Sequence, residues 1–424
     1  MNSKRPKIIL VGGGFAGMEF AKRMRNKGFD LLLIDKQNHH QFQPLFYQVA
    51  CSMLEPTSIS FPFRRMFQDT RNMEFRMAHL QKVYPEQKYI ETNVGNFEYD
   101  YLVVALGCTT NFFGNASVAE HAMTLKTTQE AIHVRNHILN NFEMVVSMPD
   151  EEREPYLNIV IVGAGPTGVE LSGSFAEMKS HILPKDYTFF DFKRLNITLI
   201  EGSPNTLNAM SDHAHKYSRA YLEKMGVDIR TQTVVKNYDG ENLTLSTGEI
   251  IRTKNVIWAA GVIANKVEGL ENATLMRGNR VHVDRYSRVI GYDSIFALGD
   301  LAYMEEPKYP NGQPQLANVA INQAKNLAKN LLKFKPVSEW KEYTYKDLGS
   351  MATVGRNKAV VDLPRFKFKG WFAWMVWMFL HLMLILTVRS KLIILINWAL
   401  SYFASDNSTL RVIFSNPNKR NTHV

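Results

Sequence analysis

Two short glycine runs carry the chemistry that is easiest to read in this chain. They are Gly12-Gly13-Gly14-Phe15-Ala16-Gly17 and Gly163-Ala164-Gly165-Pro166-Thr167-Gly168. Each follows an apolar run, residues 8–11 and 159–162, and each opens a helix-like stretch. In a G-x-G-x-x-G turn the first glycine makes the tight bend and the second lets a pyrophosphate approach the backbone. The third lets helix and strand pack closely, and the helix N-terminus faces the negative charge. An acidic residue closes the next apolar run both times, Asp35 after residues 31–34 and Glu201 after residues 199–200. A carboxylate at that place accepts hydrogen bonds from a ribose hydroxyl pair and repels a 2′-phosphate, which favours NAD over NADP. Two such units in one chain imply two dinucleotide sites with electron transfer between two cofactors.

The elements around these turns must be numerous, because 424 residues exceed one ordinary domain. The composition is globular, at 45% hydrophobic and 21% charged, so neither disorder nor a fibrous repeat is expected. Two cysteines, Cys51 and Cys108, support neither a disulfide framework nor a Cys-rich metal site, and they suit a reducing compartment. Lys4, Arg5 and Lys7 run straight into the first strand without an apolar leader, so folding is expected to begin in the cytosol. The net charge of +10 concentrates near the end of the chain. Arg365, Lys367, Lys369, Arg389, Lys391, Arg411, Lys419 and Arg420 are opposed there only by Asp406. These charges flank apolar helices, which suits an anionic membrane surface better than a nucleic acid.

Along the chain, residues 1–50 read strand, helix, strand and loop. Residues 99–107 read as a buried strand turning at Gly107, with Ala105 and Gly107 placed where a backbone meets a cofactor. Residues 125–147 read as a crossover helix, and the charged, proline-bounded stretch 149–155 as a linker before the second fingerprint. Residues 256–261 form another strand ending in Ala260 and Gly261. The run 295–300 reads as a strand that delivers Asp300 just past Gly299, an acid that can hold a ribityl hydroxyl of FAD. The helix that follows, about 316–332, begins near Ala317, and its N-terminus favours negative charge on a reduced flavin. Residues 371–388 and 392–404 read as a helical hairpin. Trp371, Trp374, Trp377 and His381 share one helical face, while Phe372, Val376, Phe379, Leu380, Met383 and Leu386 point elsewhere. In-plane anchoring in one leaflet is the expectation, with a true span and a soluble dimer interface as the alternatives. The fold class is α/β: two Rossmann-like dinucleotide-binding domains of the disulfide-reductase type, plus a C-terminal membrane-associating helical region.

Longer segments carry a resemblance. His40-Gln41-Phe42-Gln43-Pro44-Leu45-Phe46-Tyr47-Gln48-Val49-Ala50, the GAGPTGVEL of residues 163–171, the WAAGV of 258–262, the FALGDL of 296–301 and the GSMATVG of 349–355 resemble type II (alternative, non-proton-pumping) NADH:quinone oxidoreductases. The resemblance implies an FAD-binding domain at 1–125 and 285–335, an NADH-binding domain at 126–284 and a membrane-anchoring region at 336–424. It implies FAD contacts from Gly12, Gly14, Phe15, Ala16, Gly17, Asp35, Lys36, His40, Gln43, Pro44, Ala105, Gly107, Gly299, Asp300 and Ala317. It implies NADH/NAD contacts from Gly163, Gly165, Pro166, Thr167, Gly168, Glu201, Ala260 and Gly261. Hydride would pass from NADH to FAD, and two electrons then to a membrane quinone, ubiquinone or menaquinone. A homodimer, peripheral on the cytoplasmic face of the cell inner membrane, is the implied setting.

Glu170 matches the glutamate of the family's G-V-E and is implied in proton or charge relay; the bland alternative is an acid complementing a helix dipole. The family's A-Q-x-A-x-Q reads Ala317-Asn318-Val319-Ala320-Ile321-Asn322 here, with Gln323 next. Asn318 and Asn322 keep an amide but lose a methylene, so Asn318, Asn322 and Gln323 are the quinone-side candidates. Two rival readings stay open. A sulfide:quinone oxidoreductase would need Cys51 and Cys108 to meet. A redox sensor would bind NADH and scarcely turn over. Adjacent His39 and His40 would point to opposite faces of a strand, so no metal is expected.

Overall fold

The structure, a computed structural model, describes residues 5–404 and 411–413. Lys4, Asp406, Lys419 and Arg420 of the charge argument lie outside the described residues. The chain forms two units, each assembled from separated segments.

The first unit comprises Met1–Gln41, Phe61–Thr109 and Val262–Lys346. Its five-stranded sheet runs in the order Ile295–Ala297, Tyr101–Val104, Lys7–Val11, Asp30–Asp35, Met73–Met77, all parallel. The first fingerprint leaves the central strand. Alternate residues face opposite sides, and both sides are buried: Ile8 and Leu10 join a core with Phe20, Leu33 and Leu327, while Ile9 and Val11 join one with Ile34, Val104 and Val281. That is why these strands read as unbroken apolar runs. Helix Phe15–Met24 packs against helix Ala317–Leu331 on one face.

The second unit comprises Phe42–Ser60, Thr110–Gly261 and Asp347–Val424. Its parallel sheet repeats the plan, in the order Met123–Thr124, Asn255–Trp258, Asn158–Val162, Asn196–Ile200, Val227–Arg230, with the second fingerprint again leaving the centre. Helix Pro166–Glu177 follows it. The short helix Phe46–Ala50 packs on that helix and on the long helix Thr128–Ser147. Strands Ser350–Gly355, Lys358–Asp362 and Lys367–Lys369 form an antiparallel sheet that leads into helices Trp371–Leu384 and Val388–Ala404.

The divisions differ from the expected intervals, for identifiable reasons. Strand Met123–Thr124 extends the second sheet, so the cut falls at 109/110 rather than 125. Strand Arg280–Val283 pairs with Ala302–Met304 of the first unit, so the return falls at 261/262 rather than 284. The helical hairpin also differs in its proportions: 14 residues, then 17. Thr387 accepts from the Ser390 N–H at 3.2 Å and starts the second helix earlier than its apolar run suggests. Among the described residues, no helix is long and apolar enough to cross a membrane.

The tryptophan face does not point one way. Trp377 is 1% exposed, packed inward, while Trp371 is well exposed. The outward residues include Phe372 at 62%, Phe379 at 60% and Met383, with Val388, Leu392, Ile396 and Phe403 on the second helix. Val376 and Leu386 are half-buried rather than outward.

Candidate nucleotide and electron-transfer sites

The first fingerprint divides its glycines by role. Gly12 has φ +101°, and a Cβ there would stand 2.3 Å from the Ala105 carbonyl oxygen. A Cβ on Gly17 would stand 1.9 Å from the Gly12 carbonyl oxygen. Gly14 is different: nothing lies within 4 Å of its Cβ position, and it begins helix Phe15–Met24 without a side-chain cap or an acid in the first turn. The first helical amides therefore face open space and suit a phosphate. Asp35 Oδ2 accepts from Gly13 N at 2.6 Å and its Oδ1 from Gln37 N at 2.7 Å. Burial pushes the Asp35 carboxyl up, against those two backbone bonds and the nearby Lys36 and His39. His40 donates from Nδ1 to the Gly13 carbonyl at 2.8 Å, and burial drives its imidazole down to about 4, so the ring is neutral. Its ring meets Phe15 edge-on at 5.5 Å. Lys36 is exposed.

The second fingerprint repeats this device. Gly163 has φ +104°, with a Cβ site 2.6 Å from the Ala260 backbone; a Gly168 Cβ would meet the Gly163 carbonyl at 1.8 Å; the Gly165 site is open. Glu201 Oε2 accepts from Ala164 N at 2.6 Å and Oε1 from Ser203 N at 2.8 Å. Pro166, at the first helical position, and Thr167 are exposed at the helix mouth. Gly261, at φ +71°, is packed by the Phe113 ring, 2.6 Å from its Cβ position. The residues present in both cradles fit a dinucleotide.

Within the first unit, Gly107 has φ +65° with open space at its Cβ position, and Asn265 holds the turn by donating to the carbonyls of Leu106 at 2.8 Å and Gly107 at 3.1 Å. Sequence reading missed Asn265, which lies in no motif. Asp300 is half-buried; Cys108 Sγ donates to its Oδ2 at 3.0 Å, and Gln315 to its backbone carbonyl.

Gln323 is engaged within the first unit. It is fully buried, with Oε1 accepting from Gly299 N at 2.9 Å and Nε2 donating to Gln313 at 3.0 Å. The amide oxygen and one amide N–H are thus engaged inside the fold, and Gln323 holds the Gly299–Leu301 turn. Asn318, one position beyond Ala317 at the helix start, keeps a buried Oδ1 with no partner; Asn322, one turn on, is half-buried. Gln43 and Pro44 sit on a short turn in the second unit, Gln43 exposed.

Glu170 is buried inside the second unit. Its Oε1 accepts from Thr353 N at 3.3 Å, and the Trp377 indole N–H lies against the carboxyl without completing a hydrogen bond. Burial outweighs both and pushes the carboxyl up to about 8. A Gly173 Cβ would strike the Val354 carbonyl oxygen at 1.7 Å, so only glycine allows the helix to lie this close to the strand. The helix-dipole reading of Glu170 therefore omits its main feature, a dry carboxyl that stays protonated near neutrality. Cys51 is buried, its thiol pushed well up by burial, and neither cysteine forms a disulfide. Dithiol chemistry finds no support in that pair.

Residues 6–324 match the family described as pyridine nucleotide-disulphide oxidoreductase, and residues 348–406 match the NDH2 C-terminal domain. The chain is 31% identical over 429 residues to the type II NADH:quinone oxidoreductase Ndh of Mycobacterium tuberculosis, covering 96% of this chain and 90% of that protein. It is 26% identical over 373 residues to the type II NADH:quinone oxidoreductase of Staphylococcus aureus, covering 85% and 90%. In fold it is similar to NDH2 from Plasmodium falciparum in complex with NADH, with a TM-score of 0.89 at 20% identity over 97% of this chain and 100% of that one. It is less similar to the sulfide:quinone oxidoreductase of Aquifex aeolicus, with a TM-score of 0.72 at 18% identity over 95% of each. The chain belongs to the pyridine nucleotide-disulphide oxidoreductases and, within them, to the type II NADH:quinone oxidoreductases.

Proposed function

We propose that the protein oxidises NADH and reduces a membrane quinone without pumping protons, with FAD as the two-electron carrier when bound. The doubled cradle carries this reading: two open second glycines, each at a helix mouth free of acids, each backed by a carboxylate clamp. Gly12, Gly14, Gly17 and Asp35 hold the adenine-side half of FAD, and Asp300 its ribityl chain. Gly163, Gly165, Gly168 and Glu201 hold NADH, and Glu201 disfavours a 2′-phosphate.

The overall reaction takes NADH, one proton and quinone to NAD and quinol. The hydride brings two electrons and one proton's worth of hydrogen, so one further proton must come from solvent through a protein group. Glu170 suits that duty because its carboxyl is protonated near neutral pH. Asn318 and Asn322 take the places of the quinone-side amides.

The outward apolar residues of the two C-terminal helices, flanked by exposed Arg365, Lys367, Lys369 and Arg389, support docking on an anionic lipid surface. In a bacterium that surface is the cytoplasmic face of the inner membrane. The test is anaerobic flavin absorbance of the purified full-length protein. NADH should bleach it and a soluble quinone should restore it within the dead time of manual mixing. Bleaching without recovery would favour the sensor reading.

A further inference from the structure

The two C-terminal helices do more than present an apolar surface, because two of their tryptophans reach inward to the NADH-site helix and its neighbour. Trp398 donates from Nε1 to Gln48 Oε1 at 2.9 Å, and Gln48 Nε2 donates to the Tyr47 hydroxyl at 2.8 Å. Trp377 lies among Tyr47, Trp398 and His381, stacked on the imidazole at 4.0 Å between ring centroids. His381 in turn donates from Nδ1 to the Trp377 carbonyl at 2.8 Å. The ring is thus held on several sides, yet its N–H is buried with no partner and set against the Glu170 carboxyl. A buried orphan donor is costly and uncommon, and it is relieved when an anion forms beside it.

We propose that Trp377 is a positioning residue for Glu170: its indole N–H completes a hydrogen bond when Glu170 gives up its proton and releases it on reprotonation, so a side chain of the C-terminal helix pair holds the ionised form of the carboxyl. This rests on the reading that Glu170 supplies the second proton of quinol. Glu170 gives up the proton from a carboxyl oxygen as the two electrons from NADH reduce the quinone to quinol, and a solvent proton replaces it. The charge created on Glu170 meets two donors, Thr353 N–H and Trp377 N–H, rather than one.

The other titratable groups on the elements around Glu170 do not substitute for this role. Tyr47 on helix Phe46–Ala50, Cys51 just after it and His381 on helix Trp371–Leu384 are all kept neutral by burial. Glu177, two turns further along the same helix, is engaged by the Arg356 N–H, with Lys358, His181 and the Arg356 side chain also near it. Tyr47 feels the Glu170 charge, and its own phenol is raised further by it.

The test is infrared titration of the FAD-loaded full-length protein, in which the protonated-carboxyl band of Glu170 is assigned as the band lost in Glu170→Gln. Trp377→Phe keeps an aromatic ring and removes the N–H. Its Glu170 midpoint should rise by about half a pH unit or more, since a donor to the ionised form has gone. If Trp377→Phe does not fold, benzothienylalanine at position 377 keeps the indole shape and removes the N–H alone. An unmoved midpoint in the folded variant overturns the proposal. Steady-state pH profiles separate it from the reading beneath it. If the infrared midpoint moves while Glu170→Gln keeps the wild-type pH profile, Trp377 does set the carboxyl, and it is Glu170's part in proton delivery that fails.

Discussion

Asp35 and Glu201 make the same pair of bonds in two separate sheets. Each closes the strand beside a fingerprint strand, each takes a 2.6 Å bond from the amide that follows the first glycine, Gly13 or Ala164, and each takes a second from the amide two residues ahead. The carboxylate therefore braces the turn, in addition to the ribose contact proposed for it. Glu201→Ala should raise the KM for NADH by about 10- to 100-fold, the loss of one or two charge-assisted bonds, and narrow the preference over NADPH, with FAD retained. Asp35→Ala should instead yield protein that purifies largely without FAD. Flavin absorbance per chain and NADH kinetics read the two outcomes separately.

The glycines offer a sharper division. Gly165→Ala places a methyl in open space on an extended backbone, so the fold should persist while the phosphate cradle fills. Expected is a folded, FAD-loaded protein whose KM for NADH rises about tenfold or more, roughly 1.4 kcal/mol in binding. Gly168→Ala would drive the methyl into the Gly163 carbonyl and should fail to accumulate as folded protein. Equal behaviour of the two variants, in circular dichroism and NADH titration, would contradict the assigned roles.

Glu170 has a pH signature of definite sign. Burial raises its proton affinity, so the folded state holds the proton up to about pH 8 while the unfolded chain releases it near 4.5. Stability from this group is fully present below the unfolded value and is lost as pH rises towards the folded one. Glu170→Gln should therefore be more stable than wild type at pH 8, on the order of 1–3 kcal/mol, and near parity at pH 4.5. Turnover should fall above about pH 8 in the wild type, and that limb should be absent from the slower Glu170→Gln enzyme. Thermal melts at the two pH values and kcat profiles check both.

Gln323 and Asn318 separate structure from quinone chemistry. Gln323→Leu strands the Gly299 amide and should cost about 1–3 kcal/mol of stability, with quinone KM unchanged in the surviving enzyme. Asn318→Ala should leave melting nearly unchanged and alter quinone KM several-fold. A reversed pattern would mean the two amides have exchanged roles.

Membrane docking is best tested on the outward face alone. Phe372→Ser, Phe379→Ser and Met383→Ser together remove exposed apolar area without touching the inward tryptophans. The triple variant should no longer co-sediment with anionic liposomes and should keep its flavin. Deleting residues 370–424 is a less specific test than it looks from sequence, because it also strips Trp377 and Trp398 from Glu170 and Gln48.

The nucleotide cradles were legible from residue order because their constraints are local. A positive φ, a carbonyl within 2 Å of a missing Cβ and an acid at a strand end all act over a few residues. The same holds for the central strands, whose double-sided burial leaves an apolar run. The bond from Gln323 to Gly299 was not legible, because it depends on a distant turn that helical phase alone does not locate. The spacing of three puts the three tryptophans on one helical face without saying what that face meets. Trp377 turns inward because helix Phe46–Ala50, from over 300 residues earlier, fills that side. Glu170's dryness is likewise assembled from residues near 47, 353 and 377, which no single motif contains.

The chain passes between its two units at residues 41/42, 60/61, 109/110, 261/262 and 346/347. During synthesis, helix Phe15–Met24 emerges long before its packing partner Ala317–Leu331. At ordinary translation rates that is a wait of roughly 15–60 s for about 300 residues. The second sheet's strands, from 123 to 230 and 255 to 258, are all made in that interval. The later-starting sheet can thus be complete while the earlier one still lacks its strand Ile295–Ala297. The apolar side of helix Phe15–Met24 therefore stays uncovered until about three quarters of the chain has been made.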